Sequence, residues 1–494
     1  MSVYSDPDNY MHVLAKCYAG LSISGNQGPA GNPDILGIDE GFSQYVRVLW
    51  NLQELPTDEA LCAWNDPGIP ELNKQQWSST NSFTNAMYYR IYFQIPLCNE
   101  FINQASDANM ADRGFSDADQ TKIREYRREA RFLRALSYYH AMDLFGSVPF
   151  VTEEDGVGAF YPSQISRSDL FDYIESELLD LATTLPAPRT NEYARADQAC
   201  VWALLARMYL NAEVYTGTER YADAATYAKK VVDEGGYNLE PVYDHLFFAD
   251  NDQSNEVIFP VTFDGLFTQT FGGTTFLTHS TVGGNMSDID SSYFGIQFGW
   301  GGNRSTPEFA TLFPDTDDAR NMFFTDGQTL VFSDNTELGN FQVGWPIAKW
   351  RNYTQGGEVG SDLTGNYVDI DFPMFRLAEV MLIYSECAAR GYGDMATGID
   401  YVNQIRERAY GDALHDVATI TPQDILDERG RELEFEGYRR TDLIRFGQFT
   451  GGSYLWAFKG GEYTGVATDA HLNLYPIPNA DVVANPNITQ NPGY

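Results

Sequence analysis

Apolar residues recur three and four positions apart over long stretches of the chain, the spacing of amphipathic helices. The pattern predicts helices over residues 6–20, 39–53, 82–105, 118–145, 168–184, 196–213, 219–234, 375–390 and 395–409. Asp6 or Pro7 would open the first and Gly20 would stop it, Pro96 would kink the third, and Ser168 would cap the fifth. In 118–145 an apolar stripe of Phe132, Ala135, Leu136, Tyr139 and Met142 runs beside a basic ridge of Arg124, Arg127, Arg128, Arg131 and Arg134. The ridge is expected to pair with acids elsewhere, in the Glu428–Asp442 segment.

One helix pair, 196–213 and 219–234, carries large, small and aromatic residues at tetratricopeptide-like spacing, and 375–390 with 395–409 offers a second pair. Trp202, Leu205, Ala206 and Tyr209 mark the first pair, with Ala224, Ala228 and Val231 on its second helix. In the second pair Ala378, Ala388 and Ala389 allow close approach. Such pairs stack into scaffolds rather than catalytic centres.

The helical period disappears between residues 256 and 372. VIFPVTF reads as a short strand, and a Gly-, Ser-, Thr- and Asn-rich run follows, too long for a simple connection. Its aromatics, Phe271, Phe276, Tyr293, Phe294, Phe298 and Trp300, argue for order. Residues 55–79, broken by Pro56, Pro67 and Pro70, present Trp64, Asp66, Lys74 and Trp77 in irregular structure. The expected fold is mostly α (α+β): a tetratricopeptide-like scaffold with a loop-rich region containing short strands. Three parts, 1–255, 256–372 and 373–494, are expected to pack as one unit.

Residues 428–447, ERGRELEFEGYRRTDLIRFG, alternate charge with large apolar groups. Read as a helix, the segment puts Glu432 and Glu436 on one face. Every carboxylate there has an arginine within a few residues, which holds it ionised. An ion-paired core seam is the better reading than a two-carboxylate hydrolase site.

Composition narrows the function. A formal charge of −37 would repel nucleic acid and anionic membrane surfaces and suits a neutral ligand. Cys17, Cys62, Cys98, Cys200 and Cys387 are widely spaced and read as buried thiols. No apolar run is long enough to span a membrane, and no signal peptide is visible. H-E-x-x-H, G-x-S-x-G, Walker A and G-x-G-x-x-G are absent, and the six histidines lack metal-ligand spacing. Asp315-Thr316-Asp317-Asp318 lacks the glycine and closing glutamate of a calcium loop. No cofactor or metal is expected.

The 428–447 segment resembles the signature of the SusD/RagB family, the surface glycan-binding lipoproteins of Bacteroidetes. Glu428, Arg429, Glu432, Leu433, Phe435, Glu436, Gly437, Arg439, Asp442, Leu443, Arg445, Phe446 and Gly447 fall on it, while Gly430 and Arg440 depart from it. Phe145-Gly146-Ser147-Val148-Pro149 and the closing Pro476-Ile477-Pro478 … Asn491-Pro492-Gly493-Tyr494 are similar to two further family motifs, in family order. The resemblance implies a non-catalytic receptor that captures oligosaccharide or polysaccharide and delivers it to a TonB-dependent SusC-like transporter. It also implies a lipid anchor on the outer face of the outer membrane. The native precursor would then begin with a signal peptide and a lipidated cysteine ahead of this sequence.

Sugars present apolar C–H faces fringed by hydroxyls, so a receptor needs flat aromatic platforms with Asp, Asn, Lys or Arg beside them. Two segments supply that mixture. One holds Trp64, Asp66, Lys74, Trp77, Tyr88, Tyr89 and Arg90; the other runs from Tyr293 to Trp300. By resemblance, Asp66, Lys74 and Tyr88-Tyr89-Arg90 look similar to sugar-binding positions of starch-binding members. Core packing is the competing reading for each aromatic. A glycoside hydrolase with remote carboxylates and a transporter lid without its own ligand stay open.

Overall fold

The structure, a computed structural model, describes residues 3–287 and 293–494 apart from 157 and 159. Six helices, Asp117–Phe145, Arg167–Thr184, Gln198–Leu210, Tyr221–Glu234, Leu377–Ala389 and Met395–Tyr410, each pack on the next. Buried Ala203, Ala206, Ala224, Ala228 and Ala388 keep these helices close. Tyr221–Glu234 lies directly on Leu377–Ala389, although the whole loop-rich region separates them in sequence. Both expected tetratricopeptide-like pairs are present, and stacking on neighbours alone is the logic of such repeats.

Helix starts follow short polar caps. Ser116 accepts from the Asp119 N–H, Asp197 from Ala199 and Cys200, and Asp394 from Thr397. The cap of Arg167–Thr184 is Ser166, not Ser168: it accepts from Asp169, and Ser168 lies inside the first turn. The first helix, Asn9–Ser22, runs through Gly20 rather than stopping there. A Cβ on Gly20 would lie 2.1 Å from Gln94 Oε1, so this glycine serves close helix packing. The 39–53 prediction resolves into a 3-10 turn, Gly41–Ser43, and a helix, Tyr45–Glu54, which Gln44 caps. Ser82–Gln104 continues through Pro96.

The loop-rich region leaves and re-enters the scaffold at one place. Val257–Val261 pairs antiparallel with Phe372–Arg376, closing the excursion at its base.

Four of the five ridge arginines are ion-paired, but not with 428–442. Arg124 and Arg127 reach Asp107, Arg131 reaches Glu177 and Asp180, and Arg134 reaches Glu177 and Glu153. The partners are local: Asp107 from the short helix before the ridge, Glu177 and Asp180 from the neighbouring helix Arg167–Thr184, and Glu153 from the loop between.

The seam is also not one helix. It comprises Pro422–Glu432 and Arg439–Arg445, broken by a turn in which Phe435 has φ 58° and Gly437 φ 88°. Glu432 and Glu436 therefore reach a common partner across a turn rather than along one face. Arg376, fully enclosed, donates to Glu432 Oε1 at 2.6 Å, Glu436 Oε2 at 2.6 Å and Glu256 Oε1 at 2.8 Å. Lys349 donates to Glu436 at 2.7 Å and to the Glu434 carbonyl at 2.6 Å. Arg439 forks onto Asp58, and the Trp50 indole donates to the Phe435 carbonyl at 2.9 Å.

The two departures from the signature have packing reasons. A Cβ on Gly430 would meet Leu312 at 2.8 Å. Arg440 is buried, donates to Asp143 and the Asn473 carbonyl, and lies 4.9 Å from the Tyr475 ring. All five cysteines are buried free thiols.

Candidate functional site

One short pairing builds the site. Leu61 and Cys62 pair antiparallel with Arg304 and Asn303, and the Ala63 N–H donates to the Gly302 carbonyl at 2.9 Å. An aromatic lies just beyond the pairing on each side: Trp64 directly after Ala63, and Trp300 two residues before Gly302. Their ring centroids are 6.2 Å apart, and the Trp64 indole donates to the Trp300 carbonyl at 3.1 Å. A Cβ on Gly302 would lie 2.7 Å from the Trp64 ring, so only glycine permits this approach.

The loop carrying Trp300 is fixed to the helix Gly273–Ser280. Trp300 N–H donates to His279 O at 2.8 Å, and Gly302 N–H to Ser280 O at 2.7 Å. The His279 ring stacks on Trp300 at 4.6 Å, with 21° between the planes. Burial pushes His279 down to about 4, so it sits neutral beneath the indole at pH 7. Phe271 continues the surface, 6.3 Å from Trp300 and 5.2 Å from Tyr367. Trp64, Trp300, Phe271 and Tyr367 are all half-buried.

Arg47 lies under this row. Its guanidinium is 5.6 Å from the Trp64 ring and 4.2 Å from buried Phe276, and it donates to the Phe271 carbonyl at 3.0 Å. Burial lowers it to about 9, and nearby Asp39 and Asp66 oppose that shift. It remains charged at neutral pH and braces the loop from below. The arrangement suits a flat ligand with apolar faces and a polar fringe. Among the described residues, no group of three or more His, Cys, Asp or Glu could hold a metal.

Of the residues singled out from sequence, the structure brings Trp64 and Trp300 together, with half-buried Asp66 nearby. Lys74 is half-buried just beyond the short helix Ile69–Asn73. Trp77, Tyr88 and Arg90 are corrected to the core. Trp77 is 4 % exposed, donates to the Tyr494 hydroxyl at 2.6 Å and packs on Tyr475. Tyr88 packs on Phe145 and Tyr92. Arg90 donates to the carbonyls of Ser24 and Ser43. Tyr89 is half-buried and donates to Asp481 of the closing segment at 2.7 Å. These aromatics lock the C-terminal motif onto Phe145-Gly146, joining two family-like motifs that lie far apart in sequence. Tyr293 is exposed and contacts Phe294 and Arg351; residues 288–292 before it lie outside the described residues.

Sequence reasoning missed Arg47, His279 and Tyr367 and gave Phe271 no role. No local motif marks them, because each comes from a different segment.

A helical-repeat scaffold bearing a loop-borne aromatic platform is the class that fold and site define. The chain belongs to the SusD family. Its residues 279–494 match the model described as SusD family, and residues 54–210 match one described as starch-binding associating with outer membrane. It is 36% identical to the starch-binding protein SusD of Bacteroides thetaiotaomicron, over 98% of this chain and 92% of that one. A SusD-like protein of Bacteroides ovatus is 23% identical over 82% of this chain and 73% of its own length. Among solved structures, a SusD superfamily protein from Parabacteroides distasonis superposes with TM-score 0.74 at 22% identity, covering 99% of both chains. Surface glycan-binding protein A of Bacteroides thetaiotaomicron, in complex with laminarihexaose, superposes with TM-score 0.70 at 19% identity, covering 98% of this chain and 99% of that one.

Proposed function

We propose that this protein is a non-catalytic glycan receptor that holds sugar rings on the Trp64–Trp300–Phe271–Tyr367 row. The observation that carries this is the Trp64–Trp300 pair: two half-buried indoles 236 residues apart in sequence, joined by a hydrogen bond. Sugar C–H faces stack on such rings, and Asp66 beside them offers a carboxylate to hydroxyls. The starch-binding relative at 36% identity favours an α-glucan. Family membership supports delivery of the cargo to a TonB-dependent SusC-like transporter at the outer membrane, with a lipid anchor holding the receptor on the extracellular face.

Binding is favoured over hydrolysis by where the most strongly raised glutamates sit. Burial pushes Glu54 up to about 8 and raises Glu59 and Glu434 well above the carboxylate range. All three are enclosed. Glu54 and Glu59 accept from the backbone N–H groups of Tyr438 and Phe435. A substrate could not reach them.

Isothermal titration against maltohexaose, soluble starch, laminarin and fructan tests the reading, with Trp64→Ala and Trp300→Ala beside wild type. Saccharide binding lost in both variants is the expected result. Unchanged binding in both would remove the site, no binding to any glycan would favour a lid without ligand, and release of reducing ends would revive the hydrolase.

A further inference from the structure

The aromatic row does not end at Tyr367. The carboxylate of Asp362 accepts from the N–H groups of Thr364, Asn366 and Tyr367, which folds the turn 362–367 tightly. That turn lifts Leu363 into solvent, 88 % exposed. A second turn abuts it: Asp264 accepts from Leu266 and Phe267, and these two side chains are 52 % and 87 % exposed. One carboxylate fastens the turns together, because Asp369 accepts from Gly265 N–H at 2.6 Å and from the Ser361 hydroxyl at 2.7 Å. A Cβ on Gly265 would lie 3.0 Å from Asp362, so the two backbones are in contact.

Three large apolar side chains thus stand in water on two braced, adjoining turns, one of which also carries Tyr367, the ring that ends the platform. Single exposed apolar residues are ordinary, whereas a braced cluster continuous with a site marks an interaction surface. Leucine and phenylalanine offer contact area without hydrogen bonds. They can grip the apolar face of any sugar residue that arrives, but cannot select it. Only a ligand that already occupies the row and extends past Tyr367 reaches them.

We propose that Leu266, Phe267 and Leu363 form an extension of the platform that takes further residues of the same polysaccharide chain, so that the protein favours long chains over short ones. This rests on the glycan reading above.

The test compares wild type with Leu266→Ser/Phe267→Ser/Leu363→Ser, which alters exposed positions only. Affinities for maltohexaose and for soluble starch are measured by titration and by retardation in a starch-containing native gel. The expected result is about a tenfold loss for starch with maltohexaose unchanged. Equal loss for both, or loss for neither while wild type binds both, overturns the extension and leaves the receptor reading standing. Wild type binding neither these ligands nor laminarin would sink both. If the variant keeps its starch affinity but changes from dimer to monomer in sedimentation, the patch belongs to a second copy of the chain and the extension fails.

Discussion

The seam around Arg376 and the platform around Trp300 use the same residue types, arginines and aromatic rings, in opposite ways. In the seam the guanidinium is enclosed and meets three carboxylates from two parts of the chain. In the platform the one arginine, Arg47, is buried against rings that are themselves only half-buried. The seam gains from closure: each charge there is tolerated only because all its neighbours are fixed. The platform gains from being half-finished, since a ring packed on both sides has no face left for a ligand. Substitutions in the first should therefore alter stability, and those in the second affinity.

The largest effect is expected from Arg376→Met. It leaves Glu256, Glu432 and Glu436 short of a buried partner, and removing one side of such a pair costs about 3–5 kcal/mol. Urea unfolding should show that loss, while the fraction that remains folded binds glycan normally. A loss under about 1 kcal/mol would mean that Arg408 and Lys349, which also reach these acids, carry the seam without it.

Two tryptophans sharpen the contrast. Trp77→Ala empties a core position and should cost about 3–5 kcal/mol with affinity unchanged in the folded fraction. Trp300→Ala should lower glycan affinity at least about tenfold, the scale of a central aromatic contact, with a smaller stability loss of about 1–2 kcal/mol. Reversal of these two outcomes would exchange the assignments of core and platform.

pH separates the regions next. Burial raises Glu54 to about 8, so its stability contribution is complete below its ordinary 4.5 and is lost as pH rises through about 8. Burial also acts to raise Glu432, but Arg408, Arg376 and Arg320 overcome it and bring that carboxyl down to about 2. Its contribution is present above 4.5 and is lost as pH falls toward 2. The urea midpoint should thus peak near pH 5 and decline on both sides, and Glu54→Gln should lessen the decline on the high-pH side, where raised Glu59 and Glu434 also contribute. Affinity should stay level from pH 6 to 8, because His279 is neutral and Arg47 charged throughout. An affinity that follows the stability curve would show the two regions to be coupled.

The two regions also differed in how far they could be read from sequence. The seam was legible because its charges and its apolar groups alternate within twenty consecutive residues, although the break at Phe435 was not: a phenylalanine at φ 58° gives no local signal. The tetratricopeptide-like pairs were legible for the same reason, since helix period is a local property. The platform is a meeting of segments. Trp64 and Trp300 were singled out as aromatics in irregular stretches, yet their pairing depends on a register between residues 61–62 and 303–304. Trp77 sits in the same irregular stretch as Trp64 and is buried because Tyr494, at the far end of the chain, covers it. Proximity in sequence identified candidates but did not tell which side of each ring is covered.

The smallest effect expected is the most informative about the platform itself. Trp64→Phe keeps an apolar ring beside Phe276 and Trp300 but removes the indole donor that binds the Trp300 carbonyl. A hydrogen bond of this kind contributes about 0.5–1.5 kcal/mol net, so stability should fall by no more than that. If that bond fixes the angle between the rings, glycan affinity should drop about two- to fivefold, less than in Trp300→Ala. A drop as large as that of Trp300→Ala would mean that the indole of Trp64 meets sugar directly over its full width. No change would mean that contact area alone governs binding, and that the ring geometry set by the Trp64–Trp300 bond has no part in recognition.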